Sequence, residues 1–409
     1  MRILFVVPYL PSLIRVRPFN LIRALAGRGH RLTLLALCPP GDDASGLSNL
    51  RGWCQAVRTV PLPRWRPLWN GLRALPTPVP FQAAYSRSPQ MAHLIQRTLQ
   101  EDRYDVIHLE HLRGAEFGHA VGAGSPPLVF DAVDSITLLF ERARQGAPRW
   151  QSRLLAWLDL RRTHHYEGQF TQRFARVLVT SPEDRDALAA LATNQQTSQP
   201  TNQPTPDHLI VLPNGVDLGY FKPLGQPRQP DTVIFSGKMS YHANTAAALD
   251  LVQAVMPAVW AERPQVQVWL VGKDPPAVVR ALVADPRVTV TGTVPDLRPY
   301  VGRAAVAVTP LRYGVGIQNK VLEAMAMATP VVTTPGTCRA LTAEPGAHLL
   351  VGHSPAELAA SILSLLADDQ RREALGQAGR QYVQDRHDWD GIAGRLEAVY
   401  QQTIAEISG

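Results

Sequence analysis

Residues 304–334 read AAVAVTPLRYGVGIQNKVLEAMAMATPVVTT, a strand, a glycine-bearing loop, a short helix and a second strand. Ala304–Thr309 is a run of small and β-branched residues suited to a strand buried on both faces. Pro330–Thr334 predicts a second strand of the same kind. Between them Gly314 and Gly316 open the backbone, and Asn319 stands where an N-cap would begin a helix over Lys320–Ala328. A helix that starts at the carboxyl edge of a parallel sheet presents free N–H groups and the positive end of its dipole to an anion. Lys320 adds a full positive charge there. Glu323, nearly one turn later, can accept hydrogen bonds from ribose hydroxyls. Phosphate donors, a cation and a sugar-binding carboxylate in one turn suit a nucleoside diphosphate. The plainer alternative is a surface ion pair at i, i+3.

The same alternation of strand and helix runs through the whole chain, as in parallel α/β sheets. Arg2–Val7, Arg31–Leu37, Tyr104–Leu109, Pro127–Asp131 and Arg176–Thr180 are predicted strands. A helix near Pro18–Ala26 carries Pro18 in its first turn. The pattern restarts with Thr232–Gly237, Val266–Gly272 and Arg287–Gly292. Two Rossmann-like domains facing each other across a cleft are therefore expected, one over 1–215 and one over 216–385. The boundary falls near Gly215–Gln229, where Gly, Pro and polar residues concentrate. Residues 193–206, TNQQTSQPTNQPTP, are too poor in apolar side chains to order themselves and read as a loop insertion. Arg371–Ile407 is predicted to be helical.

Composition fits a globular protein of two domains: 409 residues, 45% hydrophobic and 18% charged. Three cysteines without metal-ligand spacing, Cys38, Cys54 and Cys338, read as reduced structural thiols. Met1–Val7 runs straight into a strand, so no signal peptide is expected, and no apolar run approaches the ~20 residues that span a bilayer. A cytoplasmic protein is expected. The net charge of +7 suits a phosphorylated small molecule or the inner face of an anionic membrane. Nucleic acid is disfavoured, because no zinc-finger spacing, RNP-like strand or lysine-rich tail is present. Gly314-x-Gly316-x-x-Asn319 is a poor dinucleotide fingerprint, lacking the third glycine and the later acidic residue, which disfavours a nicotinamide enzyme.

GIQNKVLEAMAMATPVV, together with LPNGVDLGYFKP at 212–223, FSGKMSYHAN at 235–244, VWLVGKDPP at 268–276 and VTVTGTVPDLRPYV at 288–301, resembles the retaining family-four glycosyltransferases, whose fold is called GT-B. These pieces occur in the family's order and span most of residues 208–335. GIQNKVLEAMAMA is most similar to the subgroup of sugar transferases associated with exopolysaccharide export. The resemblance implies a nucleotide-diphosphate sugar as donor, a polysaccharide or glycolipid acceptor, no required metal or other cofactor, and a last helix, 386–409, that returns to the first domain. Gly237, Lys238, Gly314, Val315, Gly316, Ile317, Asn319, Lys320 and Glu323 are then the donor-binding positions, with Lys238 also acting on the leaving diphosphate.

The chain departs from the family at several places. Val315 stands where the first of two glutamates is usual, so the N–H groups of Val315–Ile317 are candidates for that contact. Ala243 stands where a second lysine is usual, and Lys320 is its candidate substitute. In the first domain Asp131, with Asp134 nearby, takes the place of a histidine beside the transferred sugar; both are candidate catalytic residues or, alternatively, caps of the next helix. His108, Glu110 and His111 end the preceding strand and read as residues lining the same edge rather than metal ligands. The loop PYLPSLIRVRP lacks the family's glycine pair, and Arg15 and Arg17 are candidates for phosphate or acceptor contacts. Residues 64–73, RWRPLWNGLR, interleave arginine with tryptophan and leucine as at a bilayer interface, or else plug a local core gap. A nonenzymatic nucleotide-sugar-binding protein and a nucleotide-sugar epimerase are the two alternative functions.

Overall fold

The computed structural model describes residues 1–12, 15–42, 46–122, 124–146, 150–195, 208–312 and 316–408. The chain forms two compact units, Met1–Pro213 with Trp389–Gly409, and Asn214–Asp388.

The first unit is built on a seven-stranded parallel sheet among the described residues. Its strands are β1 (Arg2–Val7), β2 (Arg31–Cys38), β3 (Ala56–Pro61), β4 (Val106–Glu110), β5 (Leu128–Val133), β6 (Arg176–Val179) and β7 (Leu209–Val211). They lie in the order β3-β2-β1-β4-β5-β6-β7. Side chains of successive residues point to opposite faces, and the core divides accordingly. Leu4, Val6, Leu35 and Leu37 pack on one face, while Ile3, Phe5, Val7, Leu34 and Ala36 pack on the other. The second of these faces is covered by the helices Val16–Gly27 and Trp389–Ser408, the latter through Trp389, Ile392, Ala393, Leu396 and Tyr400.

The second unit holds a six-stranded parallel sheet of β8 (Gln229–Ser236), β9 (Gln267–Val271), β10 (Val288–Gly292), β11 (Ala304–Thr309), β12 (Val331–Thr333) and β13 (Leu350–Val351). Its order is β10-β9-β8-β11-β12-β13. β11 is buried along its whole length, as a central parallel strand covered on both faces must be. In each sheet the chain moves outward from the first strand, then returns to that strand's other side. The reversal falls between β1 and β4 in the first sheet and between β8 and β11 in the second. In open parallel sheets such a reversal is where the loops at the carboxyl ends of the strands part and ligands bind.

Several local expectations are corrected. The helix after β11 is Asn319–Ala326, so Asn319 is its first residue; Gln318 occupies the cap position without a capping side-chain hydrogen bond. The helical tail is two helices, Asp369–Arg386 and Trp389–Ser408, broken at His387–Asp388 where the chain passes from one unit to the other. Thr193–Gln195 finish the helix Pro182–Gln195, while 196–207 lie outside the described residues.

Candidate functional site

At the reversal point of the second sheet, β8 and β11 run side by side, pairing Val233 with Val306 and Ile234 with Ala307. The loop after β8 begins with Gly237 and Lys238. The segment after β11 leads through Gly316 and Ile317 into the helix Asn319–Ala326. Asn244 joins the two. Its Nδ2 donates to the Lys238 carbonyl at 2.9 Å, and its Oδ1 accepts from Lys320 Nζ at 2.7 Å. Lys320 also lies over the Phe235 ring, 5.3 Å from its centre. Lys238 itself is exposed, and Ile317 is buried.

Glycine is required twice in this wall. Gly237 has φ +144°, and a Cβ there would come within 3.0 Å of Asn244 Nδ2 and 3.2 Å of Lys320 Cε. Gly272, after β9, has φ +149°, and its Cβ would fall 1.8 Å from the Gly237 carbonyl oxygen. The two loops therefore pass backbone to backbone, held by Gly237 N–H to Val271 O at 3.0 Å and Met239 N–H to Lys273 O at 2.9 Å.

Burial sets the charge state of the helix. It pushes Lys320 down to about 8 and Glu323 up to about 7, while the attraction between the two opposes both shifts. An incoming diphosphate would favour the ammonium form, and ribose hydroxyls would favour the carboxylate. The structure thus brings Gly237, Lys238, Gly316, Ile317, Asn319, Lys320 and Glu323 to one sheet edge. Gly314 and Val315 lie outside the described residues. Asn244, the last residue of the segment FSGKMSYHAN, lies in the first turn of the helix His242–Asp250 and joins the Lys238 loop to Lys320 from there.

The first unit has its own polar cluster at the carboxyl edge of β1, β4 and β5. Arg17 was expected on a basic loop; it lies instead in the helix Val16–Gly27 and is buried. Its Nε donates to Asp131 Oδ2 at 2.7 Å, and its Nη1 to the Pro213 carbonyl at 3.2 Å. Asp131 is fully buried, and its Oδ1 accepts from Val133 N–H at 3.1 Å. Both oxygens of this carboxylate are thus engaged within the unit. Asp134 is half-buried and accepts from Thr180 Oγ1 at 2.9 Å; burial, then Asp184 nearby, raise it to about 7. Neither aspartate caps the following helix. Glu167 does, accepting from Ile136 N–H at 2.8 Å and Thr137 N–H at 3.0 Å.

Arg15 precedes that first helix with its guanidinium 4.1 Å from the Tyr9 ring centre, and Tyr9 donates to Glu110 at 2.7 Å. Burial and Asp131 push Glu110 up to about 8. His108, on β4, is buried beneath the helix Trp389–Ser408, stacked on Phe5 at 4.1 Å and bonded through Nδ1 to Tyr400 at 2.7 Å. His111 turns away at φ 65° and accepts from Arg113 N–H. The three do not converge, and among the described residues no group of His, Cys, Asp and Glu is arranged to hold a metal.

Residues 14–197 match the family model described as a glycosyl transferase 4-like domain, and residues 230–368 match the one described as glycosyl transferases group 1. The chain therefore carries, one after the other, the two glycosyl transferase domains that these models describe. It is 28% identical over 220 residues to the D-inositol 3-phosphate glycosyltransferase of Segniliparus rotundus, covering 49% of this chain and 48% of that protein. It is 27% identical over 226 residues to the GDP-mannose-dependent monoacylated alpha-(1-6)-phosphatidylinositol monomannoside mannosyltransferase of Corynebacterium glutamicum, covering 49% of this chain and 57% of that one. The chain spans about half the length of the curated relatives it matches. Among solved structures, Anabaena HepE in complex with UDP and glucose superposes with a TM-score of 0.67 at 16% identity, over 98% of this chain and 100% of that one. The fold of this chain is accordingly GT-B.

Proposed function

We propose that the protein transfers a sugar from a nucleotide-diphosphate donor to a polysaccharide or glycolipid acceptor, with retention of configuration at the transferred carbon. The observation that carries this reading is the tie from Lys320 through Asn244 to the Lys238 loop, at the reversal point of the second sheet. Cations fixed there before the reaction would meet the charge that develops on the departing diphosphate. Glu323 would hold the ribose. The diphosphate would then take the acceptor's proton on the face it leaves, so no protein nucleophile and no metal is needed. Asp134 is the candidate acceptor-side residue, with Asp131 and Arg17 holding that strand edge in place. The likeness of GIQNKVLEAMAMA supports surface polysaccharide assembly, with the enzyme working at the inner face of the membrane. The lipid acceptor in the name of the Corynebacterium relative supports a membrane-borne acceptor.

Val315, standing where a glutamate is usual, favours a second reading in which the site binds a nucleotide sugar without turnover. Thermal unfolding with UDP, GDP, ADP and their sugars, followed by incubation of the stabilising sugar with an acceptor extract, separates the readings. A ligand at a hundredfold of its Kd stabilises by about 2.7 kcal/mol. Stabilisation with transfer supports the enzyme, and stabilisation without transfer supports the binding protein. Conversion of the sugar to its epimer, or no response to any nucleotide, contradicts both.

A further inference from the structure

The chain's positive charge is localised. Residues 44–100 contain seven arginines and neither Asp nor Glu, which equals the excess of +7 for the entire sequence. Arg58 and Arg97 pair with Glu101, and Arg87 with Glu116. Arg64, Arg66 and Arg73 meet no carboxylate among the described residues. All three belong to the helix Arg66–Ala74 and the turn that leads into it.

This helix is inverted relative to a surface helix of a water-soluble protein. The side it buries carries Asn70, whose amide donates to the carbonyls of Tyr85 at 3.1 Å and Arg87 at 2.9 Å, and Ala74. The side it exposes carries Trp65 (58% exposed), Leu68 (75%), Trp69 (48%) and Leu72 (60%), followed by Leu75. That spacing of i, i+3, i+4 and i+7 makes a single stripe. The alternative that these tryptophans fill a core gap is thereby corrected: they face outward. Arg66 lies 5.5 Å from the Trp65 ring centre and Arg73 5.4 Å from that of Trp69, which sets a guanidinium group beside each indole of the stripe.

We propose that the helix Arg66–Ala74 lies in the plane of an anionic lipid surface, with Leu68, Trp69 and Leu72 among the acyl chains and Arg64, Arg66 and Arg73 on lipid phosphates. Nine residues of helix extend only about 14 Å, too short to cross a bilayer but enough to lie along one. A second copy of the chain is a poor occupant, because pairing two such faces sets arginine against arginine. The inference deepens the membrane-side reading above and rests on it for its purpose, but it is tested by binding without turnover, so each can fail alone.

The full chain is sedimented with phosphatidylglycerol–phosphatidylcholine vesicles and with pure phosphatidylcholine vesicles, at low and high salt. It is expected to bind the anionic vesicles and to be released by salt. Each arginine near the surface contributes roughly fivefold in affinity, so Arg64→Gln, Arg66→Gln and Arg73→Gln combined should weaken binding about a hundredfold. Leu68→Ser with Leu72→Ser, at exposed positions that leave the fold intact, should abolish it with Tm unchanged. The proposal is overturned if the wild type ignores anionic vesicles or binds both kinds equally. It is equally overturned if the leucine variant still binds, or if the wild type is a dimer that this variant dissolves. A protein that binds vesicles but no nucleotide leaves this inference standing and removes the donor-site reading.

Discussion

Lys320 Nζ lies 2.7 Å from Asn244 Oδ1, so the helix after β11 is fastened to the first turn of the helix His242–Asp250 across 76 residues of sequence. Asn244 is buried, and its other amide atom holds the Lys238 carbonyl. One side chain therefore sets where a candidate cation sits and how the neighbouring loop is shaped. Asn244→Ala should leave Lys320 charged but unplaced, and weaken nucleotide-sugar binding roughly ten- to hundredfold, the scale of one hydrogen bond to a charged group. Calorimetric titration checks this. Asn244→Asp, which keeps an acceptor for Lys320 but loses the donor to Lys238, should fall between the two.

The pH dependence of donor binding follows from burial. Lys320 carries its proton below about 8, and Glu323 is ionised above about 7. Affinity for a nucleotide sugar, whose diphosphate has no ionisation in this range, should therefore peak between these values and decline on both sides. Lys320→Arg should flatten the alkaline limb, because a guanidinium does not titrate there. The signs for stability differ. Lys320 has a lowered folded-state pKa, so the unfolded chain binds more protons above about 8 and its contribution becomes less unfavourable as pH rises. Glu323 has a raised one, so its contribution weakens as pH climbs from the ordinary glutamate range through about 7.

Arg17 and Asp131 form a buried ion pair of 2.7 Å in the first unit. Removing one partner strands the other charge away from water. Asp131→Ala should cost about 3–5 kcal/mol in urea unfolding. A variant with the wild-type midpoint would show that water or another group reaches Arg17.

Gly272→Ala should displace the turn at Gly237–Lys238, since its Cβ would fall 1.8 Å from a carbonyl oxygen at a φ that other residues avoid. A loss of about 1–3 kcal/mol in stability is expected, with weakened donor binding. Gly71→Ala is the matched control. It lies in the helix Arg66–Ala74 with nothing within 4 Å, and should be neutral or slightly stabilising.

The parts of this molecule that were legible in its sequence are those with a local cause. Arg2–Val7 and Ala304–Thr309 are strands over the residues expected, because uniform runs of apolar and β-branched side chains suit a doubly covered parallel strand. Gly316, Lys320 and Glu323 were legible because a glycine loop, a helix start and a charge share one turn. The strands Ala56–Pro61, Leu209–Val211 and Leu350–Val351 were not foreseen. The first carries Arg58 at a sheet edge, and the other two are only three and two residues long. Pairings between distant residues leave no periodic trace either. Arg17 meets Asp131 across 114 residues, and Glu167 caps a helix 31 residues before it. The helix Arg66–Ala74 shows the converse: its pattern of tryptophan and leucine was visible, but only the fold shows which face is turned outward.

The central claim is that Lys320 and Glu323 bind the donor, and single-site variants test it most directly. Transfer from the stabilising nucleotide sugar, and its Kd, are measured for the wild type, Lys320→Ala and Glu323→Gln, each first shown to be folded by its Tm. Loss of one charge-assisted contact predicts a roughly ten- to hundredfold fall in kcat/KM for each variant, with a weaker Kd. Folded variants that bind and transfer at the wild-type level would contradict the assignment.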